Sequence, residues 1–597
     1  MKLRIIVAAI ALVLILGMLV FQVYGSTATV IILQGNQVEH VEITQPTFPS
    51  VHITTYYNPF TVEREFWHDG TVSITGAATG QNFTDSSAQI RGRGNSTWRN
   101  GQDKRPLRIR FDTEQAILGS DYEATDWILL ANHFDRSLMR NYAALHLGGL
   151  LSGLCFTPVS NHIHLYVNGE YMGVYNLTDE RDVNPGRMQL DRSSTPGRSD
   201  FFFELDARAS TDGVLNETFI RVNGLNYDMR FPGSSRRTPE HVEYLYNYIS
   251  SVSYAIRNQS FDEVLALIDL DSFIDFYLVH ELFKEYDVVN QLSIFMYIQG
   301  RGEDRRLFMG PIWDFDLAAG NFKNQPLGRG PEDLYVAVFN YWYRYLMHRP
   351  EFFDAVVDRW NEIADREIAQ TIEHVRHTAT RYQAEFERNF ERHPIMGVAI
   401  ENVMTPPEML EVEDFMGHVE WLLDWLEARV IWMDDFFNGR MPGHDFMQVL
   451  VDYHTNYHPI NISINGQLHK FENWPINLQN RIMLTVQEIA ALFNFRVRSN
   501  DAGALVLVND RVFIVHHPGD LHMMVDGVRL EFGVPTALYI QDELYIPLRT
   551  IAEILGYNIV WHPYTRTVRM TPPAASPPNT SRAGYEHLSV QFLTGIE

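Results

Sequence analysis

Apolar and polar positions alternate from Thr27 to Ala88, as in VHITTYY and TVSITGA, with glycine, proline and asparagine between the runs. A period of two predicts strands and turns, because successive side chains of a strand point to opposite faces. The stretch HIHLYVNGEYMGVYNLTDE predicts a hairpin: Asn168-Gly169 separates two β-rich runs, and both residues accept the left-handed backbone of a tight turn. Strand and helix patterns then mix to about Gln325. From about Glu332 to Asn438 apolar residues recur at helical spacing, in EFFDAVVDRWNEIADREIAQTIEHV and HVEWLLDWLEARVIWMDDFF, which predicts amphipathic helices. This is the pattern of an α+β protein with its strands first and its helices later.

The tail, from about Pro459 to Met570, repeats itself. NRIMLTVQEIAALFNFRVR and DELYIPLRTIAEILGYNIV align at an offset of 62, matching Ile489 with Ile551, Ala490 with Ala552 and Leu492 with Ile554. Upstream, INGQLHKFENWP answers to VDGVRLEFGVP. Each copy predicts a hairpin, an amphipathic helix and a strand, and a duplicated unit of this kind suits a stalk or attachment module. Beyond it TPPAASPPNTSRAG, rich in proline and serine, predicts a flexible end over 573–597. At the other end Lys2 and Arg4 precede an apolar run from Ile5 to Phe21, and Val23 and Gly25 are small enough for cleavage before Ser26, which predicts export. The run is short for a membrane span, so 1–25 is read as a signal peptide or an uncleaved anchor. The expected divisions that follow are a leading strand in 26–47, a central domain in 48–440 and the duplicated tail in 459–572.

Hydrophobic residues at 45% and charged residues at 20% exclude a disordered body. A formal charge of -26 repels phosphate backbones and anionic lipid, which argues against nucleic acid as a partner. Cys155 is the single cysteine, so neither an intramolecular disulfide nor a cysteine zinc cage is available. That scarcity suits an exported protein.

GPIWDFDLAAGN, Gly310 to Asn321, sets two carboxylates one residue apart in apolar surroundings. Buried charges need a partner, so Asp314 and Asp316 belong either to a structural ion pair or to a metal site. Upstream, Asp271 or Ser272 is placed to cap a helix through Lys284; EYDVVNQ, the strand LSIFMYI, the turn QGRGED and the strand RRLFMG follow. Helix, Asp loop, hairpin and Asp pair in that order suit phosphoryl transfer, in which one carboxylate orients the attacking hydroxyl and another holds Mg²⁺ on the phosphates. Asp287 is then the candidate base and Asp314 the candidate metal ligand. Phosphates also need cations, and IRGRGNSTWRNGQDKRPLRIRF packs Arg91, Arg93, Lys104, Arg105, Arg108 and Arg110 into about 20 residues of an acidic chain. The glycines follow neither the Walker nor the Rossmann spacing, so the cations rather than Gly92 and Gly94 carry this reading. In the tail, VHHPGDLH holds His516, His517 and His522, whose place beside a Pro-Gly turn fits a surface loop better than a metal site.

Seven motifs, RGRGNSTW, KRPLRIRFD, DWILLANHFDRSLMRNYAA, LYVNGEYMGVYNLTDE, FFFELD, HELFKEYD and GPIWDFDLAAGN, stand in the order expected of the CotH kinase family, the atypical kinases named after a spore-coat protein. The resemblance spans roughly Phe48 to Phe437, and the tail resembles the stalk-like domain named for the N-terminal domain of copper amine oxidases, a name that implies no bound copper. The resemblance implies an atypical two-lobed protein-kinase-like fold with a β-rich N-terminal lobe and a helical C-terminal lobe. It implies a secreted or surface enzyme that uses ATP with Mg²⁺ or Mn²⁺ to phosphorylate Ser or Thr of proteins at the cell surface or spore coat. Carried onto this chain, it makes Asp287 the catalytic aspartate and Asp314 the metal ligand, with Asp316 as a second ligand. It places Lys104 or Arg108 at the phosphates and makes Asp135 and Arg140 parts of a helix that braces the nucleotide; with the basic cluster, the candidate nucleotide contacts are Arg91, Arg93, Asn95, Lys104, Arg108 and Arg140. Ordinary kinases place a second metal-binding Asn five residues after the catalytic Asp, where this chain has Leu292, so Asn290 is the candidate substitute. Two rival expectations stand beside this one: a non-catalytic surface protein that keeps the fold to bind wall polymer or a partner protein, with the tail as attachment point, and a transferase of AMP rather than phosphate.

Overall fold

The alternating stretches form strands, and seven of them make a closed barrel. The computed structural model describes residues 22–24, 27–34, 37–44, 47–60, 64, 66–77, 81–94, 96–99, 104–210, 219–223, 225–322, 326–400, 405–439, 460–471, 475–478, 481–499, 504–517, 522–531, 537–540, 543–562 and 566–573. The chain divides into two compact units, the first formed by Met1–Leu190, Pro311–Leu317 and Ala364–Asp424, the second by Asp191–Gly310, Ala318–Ile363 and Trp425–Glu597. The apolar run of the leader, its cleavage position and the proline-rich end lie outside the described residues. No described helix is long and apolar enough to cross a membrane.

In the first unit Gln22–Tyr24 (β1), Thr27–Gln34 (β2) and Gln37–Thr44 (β3) form an antiparallel sheet. Ser50–Thr55 (β4), His68–Thr75 (β5), Phe83–Gly92 (β6), Leu107–Gln115 (β7), Ala124–Leu130 (β8), Ser160–Val167 (β9) and Glu170–Asp179 (β10) then close a barrel in the order β10-β8-β7-β6-β5-β4-β9. The parallel pairing of β4 with β9, Ser50 opposite His164, completes the ring. Every second residue points inward, and Val51, Val72, Ile90, Ile109, Leu129 and Leu165 are among those that fill it. The predicted hairpin is present, with Asn168 at φ 51 and Gly169 at φ 83 between β9 and β10. The Asn168 side chain accepts a hydrogen bond from Thr55 N at 2.9 Å, which ties the turn to β4.

The longer helices before the tail are Arg140–Leu150 (α1), Pro239–Asn258 (α2), Leu270–Phe283 (α3), Pro350–Ile363 (α4), Ala369–Arg381 (α5), Gln383–Arg392 (α6) and Phe415–Phe437 (α7). Strand content therefore dominates up to Asp179 and helix from Pro350 to Phe437, as the change of period predicts. In the first unit α1 packs on α5, where the Tyr142 hydroxyl meets His374 Nε2 at 2.6 Å and the His146 and His374 rings stack 4.0 Å apart.

The second unit carries Phe201–Leu205 (β11), Phe219–Val222 (β12), Leu225–Phe231 (β13), Ile294–Gln299 (β14) and Arg306–Met309 (β15), ordered β12-β13-β11-β14-β15. β14 and β15 are the predicted pair LSIFMYI and RRLFMG, with Met296 opposite Met309. α3 is apolar on nearly all sides and is buried along its length. Its cap is Asp269 rather than Asp271 or Ser272, because the capping side chain must reach forward three residues: the Asp269 carboxylate accepts from Ser272 N at 2.9 Å, and Asp271 and Ser272 fall inside the first turn.

The tail consists of two copies of one unit. Asn461–Ile464 (β16), Gln467–His469 (β17), Ile476–Leu478 (β18), Arg481–Thr485 (β19), Val486–Phe493 (α8), Arg496–Ser499 (β20), Leu505–Val508 (β21) and Phe513–His516 (β22) make up the first. His522–Val525 (β23), Val528–Glu531 (β24), Leu538–Ile540 (β25), Glu543–Pro547 (β26), Leu548–Ile554 (α9), Asn558–His562 (β27) and Thr567–Thr571 (β28) make up the second. The single hairpin expected before each helix is in fact two, β16-β17 and β18-β19 in the first copy. The copies also exchange strands: β16 pairs with β28, and β23 extends the sheet of β20, β21 and β22. β19 meets β26 antiparallel with Leu484 opposite Ile546, positions related by the sequence offset of 62, so a local twofold passes through that pair.

Candidate functional site

After β15 the chain leaves strand pairing at Gly310 and enters the first unit at Pro311. Pro311, Ile312, Trp313, Phe315 and Leu317 are buried there, whereas Asp314 and Asp316 are partly exposed. Asp314 has φ 71, a left-handed backbone that aspartate tolerates better than most residues. The segment is fixed from α1: Phe315 N donates to Asn141 Oδ1 at 2.7 Å, and a Cβ at Gly148 would stand 2.5 Å from Ile312 Cδ1, so any larger residue would have to displace that buried side chain. Trp313 lies under two guanidinium groups, Arg181 at 4.0 Å and Arg93 at 5.5 Å from its ring centroid. Arg140 attracts Asp316. Arg140 is thereby brought to Asp316, and Arg93 to the Trp313 ring beside Asp314.

The other predicted cations divide by strand geometry. Leu107, Ile109 and Phe111 of β7 point into the barrel, so Arg108 and Arg110 point out. Arg91, opposite Arg108 on β6, joins them around Trp67, at 4.7 Å for Arg91, 5.8 Å for Arg108 and 4.5 Å for Arg110. Arg108 is ion-paired with Asp126 at 2.7 Å and Glu180 at 3.1 Å, and Arg110 with Asp126 at 3.0 Å. Arg105 donates to Phe60 O at 2.8 Å. Gly92 serves packing rather than ligand approach, because a Cβ there would lie 2.2 Å from the Trp98 ring. Asn95 lies outside the described residues.

Lys104 goes inward. It is 1% exposed, its Nζ has no hydrogen-bond partner among the described residues, and it lies 5.2 Å from the centroid of the Tyr175 ring. Burial lowers its pKa from 10.5 to about 7, against the attraction of Asp135. The buried Asp135 carboxylate accepts from Ser137 N at 3.0 Å, Ser137 Oγ at 2.6 Å, Arg140 N at 2.8 Å and Arg140 Nη1 at 2.6 Å. These bonds fix the start of α1. Burial lowers the Arg140 pKa and Asp135 counters it. His133 is lowered to about 3 by burial first and by Lys104 next.

Asp287 and Asn290 belong to the second unit. The Glu285 carboxylate accepts from Asp287 N at 2.6 Å and Val288 N at 2.5 Å, capping the helical turn Tyr286–Val289 that carries Asp287. Asn290 N and Leu292 N both donate to Asp287 O, at 3.0 and 2.9 Å, and Asn290 Nδ2 donates to Tyr286 O at 2.7 Å. Both Asp287 and Asn290 are partly exposed. In the same unit Ala319 N donates to Phe283 O at 2.6 Å and the Phe322 ring lies 3.7 Å from that of Tyr286. Among the described residues no group of three or more His, Cys, Asp or Glu side chains is arranged to hold a metal ion.

Residues 90–433, more than half of the 597-residue chain, match the family described as CotH kinase protein. The chain belongs to that family. Residues 463–570 match the copper amine oxidase N-terminal domain, which covers the duplicated tail. No curated protein matches the chain.

In this CotH domain several residues that hold the candidate site were passed over in the sequence. Asn141 follows Arg140 in FDRSLMRN, and Glu285 stands two residues before Asp287, where a cap is expected. Arg181 follows the hairpin that the sequence identifies. For Tyr175, which covers Lys104, no local pattern gives a signal.

Proposed function

We propose that the CotH domain has a two-lobed kinase-like fold and, after export by its leader, transfers the γ-phosphate of ATP to Ser or Thr hydroxyls of proteins at the cell surface or spore coat. Asp287, on its capped turn, orients the acceptor hydroxyl and takes its proton. Asp314 and Asp316, with the Asn290 amide oxygen, offer hard oxygen donors of the kind Mg²⁺ or Mn²⁺ prefers. Lys104, Arg93 and Arg140 offer the cations that a triphosphate needs, and the buried Lys104 Nζ, without a hydrogen-bond partner among the described residues, suits an anionic group. The metal-bound nucleotide would supply the phosphoryl group and offset part of its charge. The tail would attach the enzyme to a wall or surface partner.

The observation that carries the proposal is the Pro311–Leu317 segment, whose apolar side chains are buried while its two carboxylates are not. The test incubates the full chain with ATP labelled at the α or γ position, Mg²⁺ or Mn²⁺, and candidate surface proteins. Incorporation of γ label is expected to fall by roughly 100- to 10,000-fold in Asp287→Asn and in Asp314→Asn. Incorporation of α label would instead mean AMP transfer, and no incorporation from either label would favour the non-catalytic wall-binding protein.

A further inference from the structure

Of the 48 lysines and arginines in this chain, only five are lysine: Lys2, Lys104, Lys284, Lys323 and Lys470. The other 43 basic positions are arginine, which keeps its charge at any working pH. Lys104 and Lys284 are buried, at 1% and 2% exposed, but differently. The Lys284 ammonium donates to the backbone carbonyls of Gly330 and Glu332, which makes it a brace for the loop it crosses. Lys104 has no such partner among the described residues, only the face of Tyr175 on β10.

The groups around Lys104 do not supply what is missing. Asp135 attracts it, yet the Asp135 carboxylate is bonded to Ser137 and to Arg140. His133, from the same loop, has a buried Nδ1 that also lacks a hydrogen-bond partner among the described residues. His162, on β9, gives its Nε2 hydrogen to Leu138 O at 3.0 Å. Both imidazoles feel Lys104, and His133 also feels His393 and Arg136. Burial holds His133 near about 3 and His162 near about 4, so both stay neutral across the range in which Lys104, at about 7, changes charge. The phenol of Tyr175 donates to Arg105 O at 3.1 Å and stays protonated, because burial raises its pKa.

Resting on the nucleotide reading above, we infer that Lys104 is a proton-coupled phosphate anchor: it joins the complex by taking a proton from solvent onto Nζ as the anionic group enters. A phosphate provides the negative charge and acceptor oxygens that the groups around Lys104 do not offer, so the bound state favours ammonium and the free state admits the amine. Protons balance because one leaves the bulk for each neutral Lys104 that is captured. From the value of about 7, uptake is about one tenth of a proton at pH 6, one half at pH 7 and nine tenths at pH 8. Apparent affinity then falls about tenfold from pH 6 to pH 8.

The test uses the full chain carrying lysine labelled with ¹³C at Cε. With five lysines the spectrum is sparse, and Lys104→Arg identifies the signal. In the free protein the Lys104 signal is expected to titrate near pH 7, and with Mg²⁺ and a non-hydrolysable ATP analogue to remain charged past pH 9. Calorimetry of the same binding in two buffers of different ionisation enthalpy reads the proton count directly, and Lys104→Arg should bind with a flat pH profile. Equal affinity at pH 6 and pH 8 without proton uptake, or a free-protein titration near pH 10, overturns the coupling and leaves the nucleotide reading standing. Absence of analogue binding at every pH overturns both.

Discussion

The first unit and the tail are both built from short strands and helices, yet their interiors follow different rules. The tail core is hydrocarbon, from Ile460 through Leu484, Ile489, Ile546 and Ile551, and among its described residues no Asp, Glu, Lys or Arg is buried. The first unit buries Lys104, Asp135, Arg136, Arg140, Asp179 and Arg187. Taking a charge out of water costs several kcal/mol even after pairing, and hydrophobic replacements often match or exceed the stability of a buried pair. A protein that needed only a stable barrel would have no use for such an interior. The first unit holds charge in fixed positions at the expense of stability, whereas the tail is a scaffold.

The largest effect that separates the two interiors is expected at Asp135. Asp135→Ala leaves Arg140 buried without its carboxylate and should remove about 3 to 5 kcal/mol of hydrogen-exchange protection from α1. A loss under about 1 kcal/mol would mean that the buried pair is not load on the fold, and the contrast would fail. In the tail, Ile489→Ala and Ile551→Ala each create a cavity at equivalent positions and should each remove about 2 to 5 kcal/mol, with nearly equal losses and no change in α1. Unequal losses would break the local twofold as an energetic fact, leaving it only a geometric one.

The last effect is graded by pH rather than set by one deletion. His133 and His162 sit near about 3 and about 4 in the folded state, below the ordinary 6.5, so the unfolded chain binds protons that the folded chain refuses. Their contribution is intact above pH 6.5 and is lost as pH falls toward 4, by up to about 1.4 kcal/mol per pH unit for each histidine. Exchange of barrel amides between pH 7 and pH 5, with tail amides as internal reference, measures it. His162→Asn, which lacks a titrating ring, should flatten about half of the slope.

Local signals were legible and long-range ones were not. Asn168-Gly169 fixed its hairpin because the turn chemistry lies within two residues. The period of two gave the strands of the barrel, but its closure rests on Ser50 meeting His164 across more than a hundred residues, which alternation cannot announce. The cap of α3 was misplaced by two residues because Asp269, Asp271 and Ser272 all carry capping groups and only side-chain reach selects among them. At the site, the spacing of Asp314 and Asp316 marked two carboxylates that indeed leave a buried segment. The basic run, read as one cluster, is divided: strand alternation turns Arg108 and Arg110 outward, whereas Lys104, in the bend before that strand, is buried against Tyr175 some 70 residues on.

The exchanged strands of the tail bear on how it is made. β16 has no partner for its second edge until Thr567–Thr571 has been synthesised, so the domain cannot finish folding while its last residues are still in transit. A chain cut short before β28 would emerge with that edge bare, ready to add a strand from another molecule.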